Sequence, residues 1–435
     1  MLFPPEAGKC GWKKALASGT ATPLSCSKMN QTTQSSPRTR WLNRTVLGIG
    51  LASLLSDWSH EIATAIMPAF LATMGAAAVW LGIIEGVSDG LSSFAKMGSG
   101  YFTDHLKRRK PIAVIGYIVT ATGTACIGLA TQAWHVLLCR SSAWLGRGVR
   151  TPVRKALLAA AVTPETYGRA FGFERMMDTC GAIVGPVTAT ILLAVFAGNF
   201  SRVLLVTLIP GLLAAVAIGF LVEEKERIHV QYISFRARLT ALPKPFQRFL
   251  LAVGLFGAGD FAHTMLILLA TQRLKPQYGA GGAATIAVSL YVLHNVFYAG
   301  FAFVAGWLAD HFDKRALLAG GYALAAVMGL VLVFAPISPA RSGVNLAVLA
   351  VVFVIAGIYV ATEEALEDSL AAELVDKEQH GMGFGALATV NGVGDCVSSI
   401  VVGALWTVWG TQVAFAYSTV LFTAGAVAVW RLRKA

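Results

Sequence analysis

The chain has 435 residues, 56% of them hydrophobic and 13% charged, with 35 Lys and Arg against 23 Asp and Glu for a net charge of +12. A water-soluble domain is about 45–50% apolar and about 25% charged, so this composition excludes a soluble globular protein and points to an integral membrane protein. Six cysteines without a Cys-x-x-Cys pair exclude a disulfide framework, a zinc ribbon and a thioredoxin-like redox motif.

Residues 1–40 hold no apolar core near Met1 that would make a cleavable signal, and read as a disordered polar tail, with Met29 as an alternative start. A helix crossing hydrocarbon must satisfy its own backbone and needs about 20 mostly apolar residues. Such stretches fall at 45–74, 79–103, 111–131, 134–160, 170–197, 203–222, 248–272, 284–307, 316–336, 345–374, 382–409 and 412–430, which predicts an all-α protein of twelve spans. Lys and Arg collect in the tail, at Lys107–Lys110, in the segment 223–247, at Lys314 and Arg315, and at Arg431, Arg433 and Lys434. The opposite side holds only Arg202, Arg273, Lys275 and Arg341. The positive-inside rule then places both termini in the cytoplasm. The net charge reflects this topology and gives no reason to invoke nucleic acid.

Three matches reveal an internal repeat. Gly100-x-x-x-Asp104-His105-x-x-Arg108-Arg109 corresponds to Gly306-x-x-x-Asp310-His311-x-x-Lys314-Arg315; Asp57-x-x-His60 corresponds to Asp260-x-x-His263; and Phe171-Gly172 corresponds to Phe384-Gly385. The order is conserved within the chain, as one duplication requires. The expected organisation is a tail (1–40), a six-helix bundle (41–222), a cytoplasmic linker (223–247) and a second six-helix bundle (248–435).

The loop after the second span, repeated after the eighth, resembles the signature of the major facilitator superfamily, with His105 and Lys107 departing from it. The resemblance is to prokaryotic members without an assigned substrate. It implies two pseudo-symmetric bundles rocking about a central site, a monomer in a bacterial inner membrane, and no cofactor. It also implies that Asp104, Arg108 and Asp310 stabilise the outward-facing state and contact the opposite half. Gly181-x-x-x-Gly185-Pro186 resembles the start of the antiporter motif, and Arg140 with Gly146 and Gly148 partly resembles a fourth-span motif.

Ionisable side chains at membrane depth cost about 2.5–3.5 kcal/mol each on insertion scales, so each is a site candidate. Asp57, His60 and Glu61 share one helical face. Asp57 lies roughly 18 Å into its span at 1.5 Å per residue. Asp260 and His263 reach a similar depth, and Glu85 and Arg140 lie roughly 10 Å from the outer ends of theirs. All seven fall in one layer. Three readings are open: charges that neutralise one another and lock helices; carboxylates (Asp57, Glu61, Asp260) that exchange protons as access alternates; and a divalent-metal site of Asp57, His60, Glu61, Asp260 and His263. An organic substrate is expected to be partly cationic, because the acids and imidazoles outnumber Arg140.

A second set marks a gate. Aligned on the repeat, Arg150 faces Glu363, Arg154 faces Glu367 and Lys155 faces Asp368, giving basic and acidic ends that meet when one side closes. No Gly-x-x-x-x-Gly-Lys-[Ser/Thr] cradle supports an ATP-driven pump, and His60-Glu61 lacks the second histidine of a metalloprotease motif because position 64 is Thr. The expectation is a proton-coupled secondary transporter of a small solute and not an enzyme. A metal transporter and a non-transporting membrane sensor or scaffold are the alternatives.

Overall fold

A computed structural model of the chain describes residues 40–75, 78–224, 234–334 and 342–432. The expected tail lies outside them apart from Arg40, as do residues 225–233 of the expected linker. Regular structure among the described residues is entirely helical: α1 (Arg44–Thr73), α2 (Ala78–Asp104), α3 (Lys110–Cys126), α4 (Ala133–Ala161), α5 (Tyr167–Val195), α6 (Phe200–Val206), α7 (Leu208–Leu221), α8 (Phe235–Thr240), α9 (Lys244–Gly257), α10 (Thr264–Ala309), α11 (Lys314–Phe334), α12 (Ser342–Leu374), α13 (His380–Trp409) and α14 (Thr411–Leu432).

Local chemistry sets several of these ends. The Asn43 side chain accepts from the Val46 N–H and caps α1. Pro111 and Pro245 occupy the first turns of α3 and α9, where the missing N–H costs nothing. Helices α6 and α7 together make one crossing. Helix α10 folds back at Gly279, whose φ of +69° suits a residue without a side chain, so it supplies part of two crossings. The result is twelve crossings in two bundles of six.

Eight of the crossings are long and apolar enough to span a membrane on length and hydropathy alone. The four that fall short are α1, α2, α4 and the pair formed by α9 with the first part of α10. These are the crossings that carry Asp57, Glu85, Arg140 and, between α9 and α10, Asp260. Outward faces are apolar, with Phe94, Phe220 and Leu251 each more than 70% exposed, as a lipid-facing surface requires.

Within the first bundle α1 packs on α5 and α7, and α4 on α2 and α3; within the second α10 packs on α12, and α14 on α11 and α9. The bundles meet along two crossings, α5 with α10 and α2 with α13. Both are glycine-lined: a Cβ at Gly168 would collide with the Gly306 carbonyl, and one at Gly100 with the Gly381 carbonyl. Only hydrogen allows that approach.

One span departs from its sequence reading. The segment 248–272 reads as a continuous helix, but α9 ends at Gly257 and α10 starts at Thr264, leaving 258–263 unwound. Gly259 lets this stretch press on α14, where an added Cβ would come 2.7 Å from that of Leu421. The freed carbonyls find partners, Ala258 accepting from Tyr417 Oη at 3.0 Å and Asp260 from Ser398 Oγ, which is what tolerates irregular backbone at membrane depth.

Candidate functional site

The first bundle carries a stripe of arginines on α4 with acids opposite. Arg140 Nη2 donates to both Glu85 carboxylate oxygens, at 3.2 and 3.3 Å, and Nη1 donates to His60 Nδ1 at 3.3 Å. Arg147 donates to Asp57 Oδ1 at 3.0 Å. Trp144 lies between the two, with each guanidinium about 5 Å from its ring centroid (5.0 and 4.9 Å). Asp57 and His60 are buried, and α1 reaches this depth because α5 offers glycines beneath it. A Cβ at Gly185 would strike that of Glu61, and one at Gly181 would meet that of Asp57 at 3.1 Å. The Gly181-x-x-x-Gly185 pattern therefore acts here in close packing. Glu61 makes no hydrogen bond or ion pair among the described residues.

The equivalent place in the second bundle holds no arginine pair. Asp260 sits in the unwound stretch and accepts from Tyr359 Oη at 3.0 Å. The His263 ring lies tilted against that of His294 on α10, ring centroids 4.7 Å apart, and His263 Nε2 and His294 Nδ1 are buried without a hydrogen-bond partner among the described residues. Of the candidate layer, the structure thus joins Glu85, Arg140 and His60 in one cluster, pairs Asp57 with Arg147, and leaves Asp260 and His263 on separate partners.

This geometry corrects one expectation and changes the ground of another. Among the described residues no three His, Cys, Asp or Glu side chains gather where a metal ion could be held. The five metal candidates do not form one shell: His60 turns its Nδ1 to a guanidinium, and His263 faces a second histidine. The expectation of a partly cationic substrate rested on a single arginine, whereas Arg147 also enters the layer and neutralises Asp57.

At the basic-loop end the bundles are locked together. Asp104 closes α2 and accepts from the Gly381 and Met382 N–H groups at 2.9 and 2.8 Å, capping α13. Asp310 follows α10 and accepts from Gly168 and Arg169 at 2.8 and 3.1 Å, capping α5, and it pairs with Arg169 Nε at 2.6 Å. Each signature aspartate thus caps a helix of the other bundle, where backbone N–H groups and dipole favour an anion. Arg109 braces Asp104 at 3.3 Å, and Arg108 is exposed beside it. Between the caps, Phe171 meets its repeat counterpart Phe384, with centroids 5.6 Å apart.

Of the three gate pairs expected from the repeat, only one forms. Lys155 Nζ meets Asp368 at 2.6 Å. Arg154 instead pairs within its own bundle with Glu174 at 2.7 Å and bonds Ser53 at 2.7 Å, and Arg150 bonds Ser56 and covers the Tyr117 ring. Glu367 accepts from Tyr322 Oη and from Asn391 at 2.7 Å, and Glu363 has no hydrogen-bond partner among the described residues. The acids of α12 and the arginines of α4 each find nearer neighbours. A further ion pair between bundles is Arg175 with Glu364 at 2.8 Å, the latter also accepting from Tyr298 Oη.

Sequence reasoning passed over Arg147, His294 and Tyr359. Arg147 was legible, since arginines at 140, 147, 150 and 154 recur at helical spacing along one face. Nothing in the spacing marked Tyr359 as the partner of Asp260.

Comparisons with known proteins agree with the two-bundle architecture. The chain is 27% identical over 382 residues to an uncharacterized MFS-type transporter of Methanocaldococcus jannaschii, covering 88% of this chain and 93% of that one. In three dimensions it resembles the E. coli fucose:proton symporter, with a TM-score of 0.69 at 16% identity over 90% of this chain and 99% of that one. A human organic anion transporter matches with the same TM-score and identity, over 91% and 100% of the two chains. Residues 49–273 and 249–435 each match the Major Facilitator Superfamily. The chain belongs to that superfamily of secondary transporters.

Proposed function

We propose that the protein is a proton-coupled transporter that moves a small organic solute by alternating access between its two bundles. The observation that carries this reading is the unequal treatment of the layer's acids: Asp57 is ion-paired at 3.0 Å, while Asp260 is held by a neutral hydroxyl and Glu61 by no described partner. A carboxylate beside a guanidinium keeps its charge; one beside a hydroxyl can gain or lose a proton without stranding a partner ion. Asp260 and Glu61 are therefore the proton carriers. Glu85, Arg140, His60, Arg147 and Asp57 form a fixed polar wall against which the solute is oriented.

Lys155, Asp368, Asp104, Asp310, Arg175 and Glu364 close one end. The positive-inside rule makes that end cytoplasmic, in a bacterial inner membrane with both termini inside, so this arrangement is outward-facing. The two bundles move as bodies 41–222 and 248–435 in a monomer. Solute and proton enter from the far side. Discharge of Asp260 or Glu61 then removes the cost of moving a bare charge through hydrocarbon, and the caps part to release both inside. A structural neighbour named for fucose and a proton, and another for organic anions, make polar organic solutes the first to test.

The test is uptake into proteoliposomes under an imposed pH gradient, with sugars, organic anions and organic cations compared with Fe²⁺ and Mn²⁺. Accumulation of an organic solute driven by the gradient, and lost in Asp260→Asn with Glu61→Gln, is expected. Flux indifferent to the gradient would refute proton coupling.

A further inference from the structure

Away from the central layer, a cleft of about 260 Å³ opens at the basic-loop end of the second bundle, where α9, α11, α12 and α14 end or begin. Its polar groups are two guanidiniums, Arg248 and Arg315, and no carboxylate lines it. The rest of the lining includes Phe249, Leu370, Leu374 and Val429. Arg315 Nη1 donates to the Leu432 carbonyl at 2.7 Å, which holds its planar fork in place and quenches the negative end of α14. Arg248 is exposed and makes no ion pair or hydrogen bond among the described residues. Arg315 is the second residue of α11, whose positive end adds to the site, and Arg248 lies one turn into α9.

A site with paired guanidiniums on one side and buried hydrocarbon on the other matches one chemistry. Two arginines grip a phosphodiester with parallel hydrogen bonds, which an ammonium cannot do. The apolar wall serves a ligand whose phosphate is attached to acyl chains. Arg248, Leu251 and Leu255 follow each other on one face of α9, and both leucines are exposed, so a chain leaving the cleft has an apolar path along the helix.

We propose that this cleft binds the phosphodiester of an anionic phospholipid from the leaflet at the basic-loop end. Its charge suits that leaflet, whose anionic lipids attract basic clusters. A free phosphate would use the arginines and leave the wall idle. This proposal is independent of the transport reading.

The experiment is native mass spectrometry of the full chain extracted from membranes, with lipid exchange in zwitterionic nanodiscs titrated with phosphatidylglycerol. One tightly retained phosphatidylglycerol is expected, with Arg248→Gln weakening it about tenfold or more, the loss of a charged hydrogen bond. Arg248→Lys should recover only part. Because Arg315 also braces Leu432, Arg248→Gln is the cleaner variant, and far-UV circular dichroism checks its fold. Unchanged retention in Arg248→Gln would overturn the site, as would phosphatidylcholine binding equally well. Displacement of the lipid by millimolar inorganic phosphate would overturn the lipid assignment in favour of a simple anion site.

Discussion

Asp57 and Asp260 stand at matching positions of the repeat, yet one is held by Arg147 and the other by the Tyr359 hydroxyl, each at 3.0 Å. The contrast continues along both bundles. Glu85 and Glu174 in the first answer to Arg140 and Arg154. Glu367 in the second answers to Tyr322 and Asn391, and Glu364 accepts from both Arg175 and Tyr298. At the matched pair Asp57 and Asp260 the duplication kept the acid and changed its partner, from a cation in the first bundle to a neutral donor in the second. A pair of opposite charges is electrically neutral and indifferent to passing protons, and it makes a rigid wall. Acids among hydroxyls and amides keep the option of changing charge. In the proposed reading the arginine-paired acids of the first bundle position the solute, while Asp260 and Glu61 respond to protons.

Breaking the fixed side should cost most. Arg147→Ala leaves Asp57 as an uncompensated charge in a largely buried place, and such a break costs about 3–5 kcal/mol. The measurement is thermal unfolding in detergent, where a marked fall in Tm is expected. Neutralising both partners, with Asp57→Asn and Arg147→Gln together, should return most of the loss. If Arg147→Ala unfolds like the wild type, the fixed-wall half of the contrast fails. On the responsive side, Asp260→Asn keeps an acceptor for Tyr359 and should change stability by no more than about 1.5 kcal/mol. It should nevertheless remove accumulation driven by a pH gradient, while solute exchange without a gradient survives. Loss of both activities together would instead make Asp260 a solute ligand.

The closed end offers a sharper comparison, because the repeat alignment proposed three salt bridges and the structure kept one. Lys155→Glu should impair transport, and the reversed pair Lys155→Glu with Asp368→Lys should restore it, with a coupling of about 1–3 kcal/mol in a double-mutant cycle. Arg154→Glu with Glu367→Arg should not rescue, since Arg154 is committed to Glu174 and Ser53. Rescue of that second swap would show that the two ends meet in another arrangement of the bundles.

Much of this was legible from the residues alone, and the failures have a common cause. Run length gave the twelve spans because hydrocarbon thickness dictates it, and the doubled Gly-x-x-x-Asp loops gave both bundles and the anions at their helix ends. Helical periodicity reports which residues share a face, as with Asp57, His60 and Glu61. It does not report which neighbour that face meets, so Arg154 was assigned across the interface when its partner lay on α5. The apolar composition of 248–272 hid the break at 258–263, because a helix that ends inside a membrane is made possible by distant groups, here Tyr417 and Ser398, that the local sequence does not contain. Gly254, Gly257 and Gly259 were the only local sign.

The smallest expected effect tests the responsive side most directly. Tyr359→Phe removes a single hydroxyl from Asp260 and leaves the ring in its aromatic packing against Phe256 and Phe422, where the centroids lie 6.2 and 6.1 Å away. Stability should fall by about 1 kcal/mol, the net worth of one hydrogen bond. If the hydroxyl only fills space, transport at every pH should match the wild type. If it shares the carboxylate with a proton, the pH profile of uptake should move while the solute's half-saturation concentration stays put, because the altered contact touches the proton site and not the arginine wall. The corresponding change in the first bundle, Trp144→Phe between Arg140 and Arg147, should do the reverse, altering half-saturation and leaving the pH profile in place.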